Sequence, residues 1–197
     1  MDHRIFYLCS YGGCGSKMIA TYLRHFGQVY HVRSRYPPSH LTHIGNSNTL
    51  KPIHHEWFSC SPVPNKDLAK YTVIYLYRNP IPCIYKRFNS PKHLYTIQFK
   101  YPQATVDQVI STKKDLFGIQ EFYLNYTRAQ TTNYSIYCVR YEDFIDNIET
   151  FNATIQLPNI PSIYPTKIEE PTYDESLQPV YHGLIQNMLS KPFIYKN

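Results

Sequence analysis

The stretch Ser10-Tyr11-Gly12-Gly13-Cys14-Gly15-Ser16-Lys17 gathers three glycines, two serine hydroxyls and a lysine into one short segment. Glycine admits backbone conformations closed to other residues and can turn successive N–H groups toward one point. A helix beginning at Ser16 would add roughly half a positive charge at the same place. The chemistry this offers is the holding of a phosphate or sulfate by Gly12, Gly13, Cys14, Gly15, Ser16 and Lys17. A second anion-binding candidate is Arg78, which follows the apolar run Thr72-Val73-Ile74-Tyr75-Leu76-Tyr77 and precedes Asn79-Pro80. A guanidinium forks onto a phosphate, and Lys86, eight positions later, adds charge. Pro52-Ile53-His54-His55-Glu56 supplies two imidazoles, the side chain best suited to act as a base near neutral pH. Neighbouring side chains on an extended segment point to opposite faces, and no further ligand cluster joins these histidines, so no metal site is expected.

Those residues need a scaffold, and the pattern of the chain supplies one. Arg4 to Cys9 reads as a strand and Ser16 to Phe26 as a helix, with Met18, Ile19, Tyr22, Leu23 and Phe26 on its apolar face and Gly27 as its C-cap. A further strand is expected at 28–33, then irregular chain rich in proline and histidine over 34–68. Residues 71–77 form the next strand, and a short helix starts near Pro80 or Pro82. Val106 to Ala129 is helical in pattern, weakened at Gly118, and Tyr134 to Val139 is a third core strand. A proline-rich loop at 158–171 and a last helix at 177–190 complete the order. Strands alternating with helices predict an α/β fold with a mainly parallel sheet and helices on both faces.

At 197 residues the chain reads as a single domain over 1–197, large enough for its own core. Its formal charge of +6 suits an anionic ligand. The basic residues are dispersed in small groups, Arg33/Arg35, Lys86/Arg87 and Lys113/Lys114, which read as solvated faces, so nucleic acid is not expected as a partner. Cys9, Cys14, Cys60, Cys83 and Cys138 show no paired spacing and read as reduced thiols. Ile5 to Cys9 is too short for the core of a signal peptide and no run reaches membrane-spanning length, so a cytoplasmic protein with no membrane partner is expected. Sequons at Asn125, Asn133 and Asn152 read as chance occurrences.

The glycine loop differs from the Walker A pattern of nucleoside triphosphatases, which places lysine directly after the last glycine; here Ser16 intervenes before Lys17. One residue is about 100° of helix rotation, so Lys17 leaves from another side of the turn. In order and type, the three segments resemble the sulfotransferases that use 3′-phosphoadenosine 5′-phosphosulfate. Tyr11 to Lys17 is similar to that family's 5′-phosphosulfate loop, commonly Tyr-Pro-Lys-Ser-Gly-Thr-Thr. Tyr75-Leu76-Tyr77-Arg78-Asn79-Pro80 is similar to its 3′-phosphate strand and turn, and Val139-Arg140-Tyr141-Glu142-Asp143 to the segment after a later core strand. Together they frame residues 4–145.

The resemblance implies a P-loop-like sulfotransferase fold and transfer of a sulfuryl group from 3′-phosphoadenosine 5′-phosphosulfate, the co-substrate, to a hydroxyl or amine of a small molecule or glycan. It implies that backbone N–H groups of Cys14 to Lys17 cradle the 5′ side, with Ser16 donating, and that Arg78 holds the 3′-phosphate. Lys86 stands where the family has a serine with the same task. A family histidine acts as base some twenty residues before the arginine, a place filled by His54 or His55, with His55 closer in spacing. Gly13 stands where the family has its leaving-group lysine, and Lys17 is the nearest replacement. The family's C-terminal Arg-Lys-Gly segment is not found after Asp143. The same implication puts the acceptor pocket between 34–68, including Trp57, and the helix near 107–129. Two alternatives stand beside it. One is a nucleotide kinase or triphosphatase, with Glu142 or Asp143 serving magnesium. The other is a non-catalytic relative that binds a phosphorylated ligand or partner, suggested by Gly13.

Overall fold

The computed structural model describes residues 4–32, 34–42, 62–88, 101, 103–128, 132–166 and 172–197. Three apolar, β-prone runs form neighbouring parallel strands: β1 (Arg4–Ser10), β2 (Gly27–Val32) and β3 (Tyr71–Tyr77). β4 (Ile136–Arg140) continues the parallel sheet, and a short β5 (Ile194–Lys196) adds an antiparallel edge, giving the order β2-β1-β3-β4-β5. The chain is thus α/β, with a mostly parallel sheet of five strands among the described residues.

Nearly every residue of β1 and β3 is buried, as expected of strands covered on both faces. In register, Cys9, Tyr75 and Cys138 form one row across the sheet. That row packs against the helix Ile119–Thr127, whose Tyr126 ring stacks on Tyr75 at 4.5 Å and whose Tyr126 carbonyl accepts from the Cys138 thiol. The alternate residues Leu8 and Ile74 are also fully buried. α1 (Ser16–Leu23) packs on β1 and β2. β2 lies on one side of β1 and β3 on the other, so the strand order reverses between β1 and β3. The carboxyl ends of β1 and β3 therefore flank a topological switch point, the place where open α/β sheets bind ligands.

After β3, α2 (Pro80–Phe88) begins on a proline, whose missing N–H is unneeded in a first turn. The helical pattern of 106–129 is two helices, α3 (Val106–Thr112) and α4 (Ile119–Thr127). Thr105 and Gln108 make a capping box at the start of α3, Lys113 ends it in the left-handed region, and Gly118 (φ 69°) opens α4. α5 (Ile148–Thr154) and α6 (Gln178–Leu189) follow.

Two expectations change. α1 ends at Leu23, and Gly27 is the first residue of β2 rather than a helix cap. A Cβ there would collide with the Arg4 carbonyl and reach 3.1 Å from the Phe6 ring, so glycine is needed for the close approach of β1 and β2. Arg87 is buried at 1 % exposure, not part of a solvated basic face. The three sequon asparagines are structurally occupied. Asn152 is fully buried between Tyr22 and Asn159, Asn125 donates to the Arg35 carbonyl and Asn133 accepts from Leu41. Among the described residues, no helix is long and apolar enough to cross a membrane.

Candidate anion site at the switch point

The chain leaves β1 at Ser10 and enters α1 at Ser16 through a loop whose glycines all have positive φ: Gly12 at 101°, Gly13 at 69° and Gly15 at 70°. Gly15 caps α1 without a side chain, and its carbonyl accepts from Met18 at 3.0 Å and Ile19 at 3.4 Å. The N–H groups of Ser16 and Lys17, in the first two helical positions, have no acceptor within the helix. This is the arrangement by which a helix start attracts an anion.

Two arginines from the β3–α2 segment brace the loop from behind. The Arg87 guanidinium donates to the Tyr11 carbonyl, lies 5.3 Å from the Tyr11 ring centroid and fills the space where a Gly12 side chain would stand. Arg78 donates to the Gly13 carbonyl at 3.0 Å, sits 4.7 Å over the Tyr141 ring and lies 3.8 Å from Glu142. Glu142 also accepts from the Asn79 N–H at 2.9 Å, which ties the turn after β4 to the turn after β3. Desolvation raises the Glu142 carboxyl above its ordinary range, more than the Asn79 N–H and Arg78 lower it; with 38 % of the side chain exposed, solvent limits the shift. Arg78, expected to face a phosphate, is 4 % exposed and turned inward onto the loop backbone.

Beside the loop runs an open groove of about 460 Å³. Gly15, Lys17, Met18, Thr21, Tyr22 and His25 line it from α1 and its two ends, Lys86 from α2, Tyr141 from the turn after β4, and Ile163 and Pro165 from the proline-rich segment. Two lysines and a histidine meet tyrosine rings and apolar side chains, with no carboxylate among the described lining residues. Such a surface favours an anion with a flat or apolar body. The fold thus brings Lys86 beside Gly15 and Lys17, from which it is about 70 residues distant in sequence. Gly12, Gly13 and Cys14 face inward, against Arg87 and α2, and Ser16 is buried.

His54, His55 and Trp57 lie outside the described residues. Among those described, a buried histidine near the loop is His31, whose Nε2 is 3.3 Å from the Ser10 hydroxyl at the end of β1. Arg87 and His25 belong to this region and carried no signal in the sequence as site residues, and Tyr141, which also lines the groove, was not singled out there. Tyr141 had one available, since it follows a core strand in the same segment as Glu142. Comparisons with protein-family models, curated proteins and solved structures return no match for this chain.

Proposed function

We propose that this groove and loop bind a 3′-phosphorylated adenine nucleotide and that the protein transfers a sulfuryl group from 3′-phosphoadenosine 5′-phosphosulfate to a hydroxyl or amine acceptor. The observation that carries this reading is the meeting of Lys17 and Lys86 with Gly15 and the start of α1 in one groove beside the switch point. In it, the helix start and Lys17 take the 5′ anion while Lys86 serves the second phosphate. Lys17 supplies positive charge to the departing phosphate oxygen, and His54 or His55 removes the acceptor proton. Arg78 acts here by fixing the Gly13 carbonyl and the Tyr141 ring.

The inward turn of Arg78 favours a second reading, a protein that binds such an anion without transferring a group. Glu142, the acidic residue nearest to a magnesium role, has its carboxylate on the Asn79 N–H and near Arg78, which favours either of these over a nucleotide kinase or triphosphatase.

Titration calorimetry with 3′-phosphoadenosine 5′-phosphate tests the reading. Lys17→Ala and Lys86→Ala should each weaken binding roughly tenfold, the loss of about 1.4 kcal/mol, with melting temperatures close to wild type. Equal affinity in all three proteins would overturn it. Turnover of the sulfated co-substrate then separates the first reading from the second.

A further inference from the structure

The anion site makes no use of the thiols of Cys14 and Cys83. Their sulfurs stand 3.4 Å apart, Cys14 in the glycine loop and Cys83 in the first turn of α2, each 1 % exposed. They are 69 positions apart in sequence, so only the fold pairs them. Their backbones are close as well, since a Cβ on Gly13 would lie 2.8 Å from the Cys83 carbonyl oxygen. A disulfide needs about 2.05 Å between sulfurs, which leaves roughly 1.4 Å to close. The other buried thiols are differently placed: Cys138 points to the Tyr126 carbonyl, and burial pushes both Cys9 and Cys138 up to about 12. The Cys14 thiol is instead held below its ordinary value, chiefly by the Cys83 thiol donating to its sulfur, with Arg87 and Arg78 adding positive charge.

We propose that Cys14 and Cys83 form a reversible disulfide that locks the glycine loop onto α2 and so places the anion site under redox control. Both sulfurs are sealed from solvent, so the fitting oxidant is a small one, hydrogen peroxide. The Cys14 thiolate attacks one peroxide oxygen, the O–O bond breaks, and water and a sulfenic acid result. The Cys83 sulfur then attacks the Cys14 sulfur, the S–O bond breaks, and a second water leaves. Two thiols give up two electrons and two protons, and one peroxide becomes two waters. A dithiol reductant reverses the bond. Closing it draws Cys14, whose N–H belongs to the loop, toward α2 and away from the groove lined by Gly15 and Lys17. The effect on ligand rests on the nucleotide reading above, whereas the bond itself does not.

The test treats the full-length reduced protein with hydrogen peroxide, traps remaining thiols and maps the peptides, beside Cys14→Ser and Cys83→Ser. The expected result is a dominant Cys14–Cys83 link, a rise in melting temperature of roughly 10 °C reversed by dithiothreitol, and slower amide exchange over residues 11–17. In the wild type, oxidation should weaken 3′-phosphoadenosine 5′-phosphate binding at least about fivefold, and peroxide-treated Cys83→Ser should show neither an internal link at Cys14 nor the rise in melting temperature. No link, a link through Cys9, Cys60 or Cys138, unaltered affinity in the linked protein, or the same shift in Cys83→Ser would overturn the proposal. If the reduced protein binds no nucleotide, the functional reading fails, and the peptide map and exchange data decide the disulfide alone.

Discussion

A methyl group on Gly12 would collide with the Arg87 guanidinium, which is itself held by the Tyr11 carbonyl and ring. Substitution there meets two costs at once, a positive φ and a packed neighbour that cannot leave without losing a buried charged hydrogen bond. At Gly118 the φ is also positive, but nothing lies within 4 Å of an added Cβ. Gly12→Ala should therefore cost about 3 kcal/mol or more, and Gly118→Ala about 1 kcal/mol, read from urea denaturation midpoints. The place of Lys17 in a helix's first turn, beside the groove, was legible because glycine-loop spacing fixes where a helix starts. Arg87 was not legible. A basic pair such as Lys86-Arg87 reads as surface, and only the returning Tyr11 carbonyl turns one member inward. Arg78 was found by position, at a strand end, while its direction depends on Gly13 and Tyr141 from distant segments.

The strands were legible because burial on both faces demands continuous β-prone apolar runs, and residues 71–77 meet that demand without interruption. β5 was missed. It is three residues long, and its pairing comes from β4, through Arg140 donating to Phe193 and the mutual bonds of Ile136 and Asn197. The split of 106–129 was half visible, since Gly118 marked the break while the left-handed Lys113 and the Thr105 box needed the structure. Gly27 was placed in the wrong element because a glycine after an amphipathic run suits a cap, whereas its constraint comes from Arg4 across the sheet. Two glycines test this distinction. Gly27→Ala should force β1 and β2 apart and cost at least about 2 kcal/mol. Gly183→Ala, inside α6 with open space around it, should gain about 0.5–1 kcal/mol and raise the melting temperature by roughly 2 °C.

Across the whole molecule, loop, buried arginines and groove converge on the carboxyl end of a mostly parallel sheet. The topology explains why residues from three separate segments, Lys17, Lys86 and Tyr141, share one surface. The formal charge of +6 adds a favourable field for an anion approaching that surface, an attraction that salt will screen. The measurement that tests this account most directly is amide hydrogen exchange of the reduced protein with and without saturating 3′-phosphoadenosine 5′-phosphate. Protection concentrated in residues 11–18, with a second zone at the end of α2 around Lys86, is the predicted result. Unchanged exchange over 11–18, or protection confined to the β4–β5 edge, would contradict it.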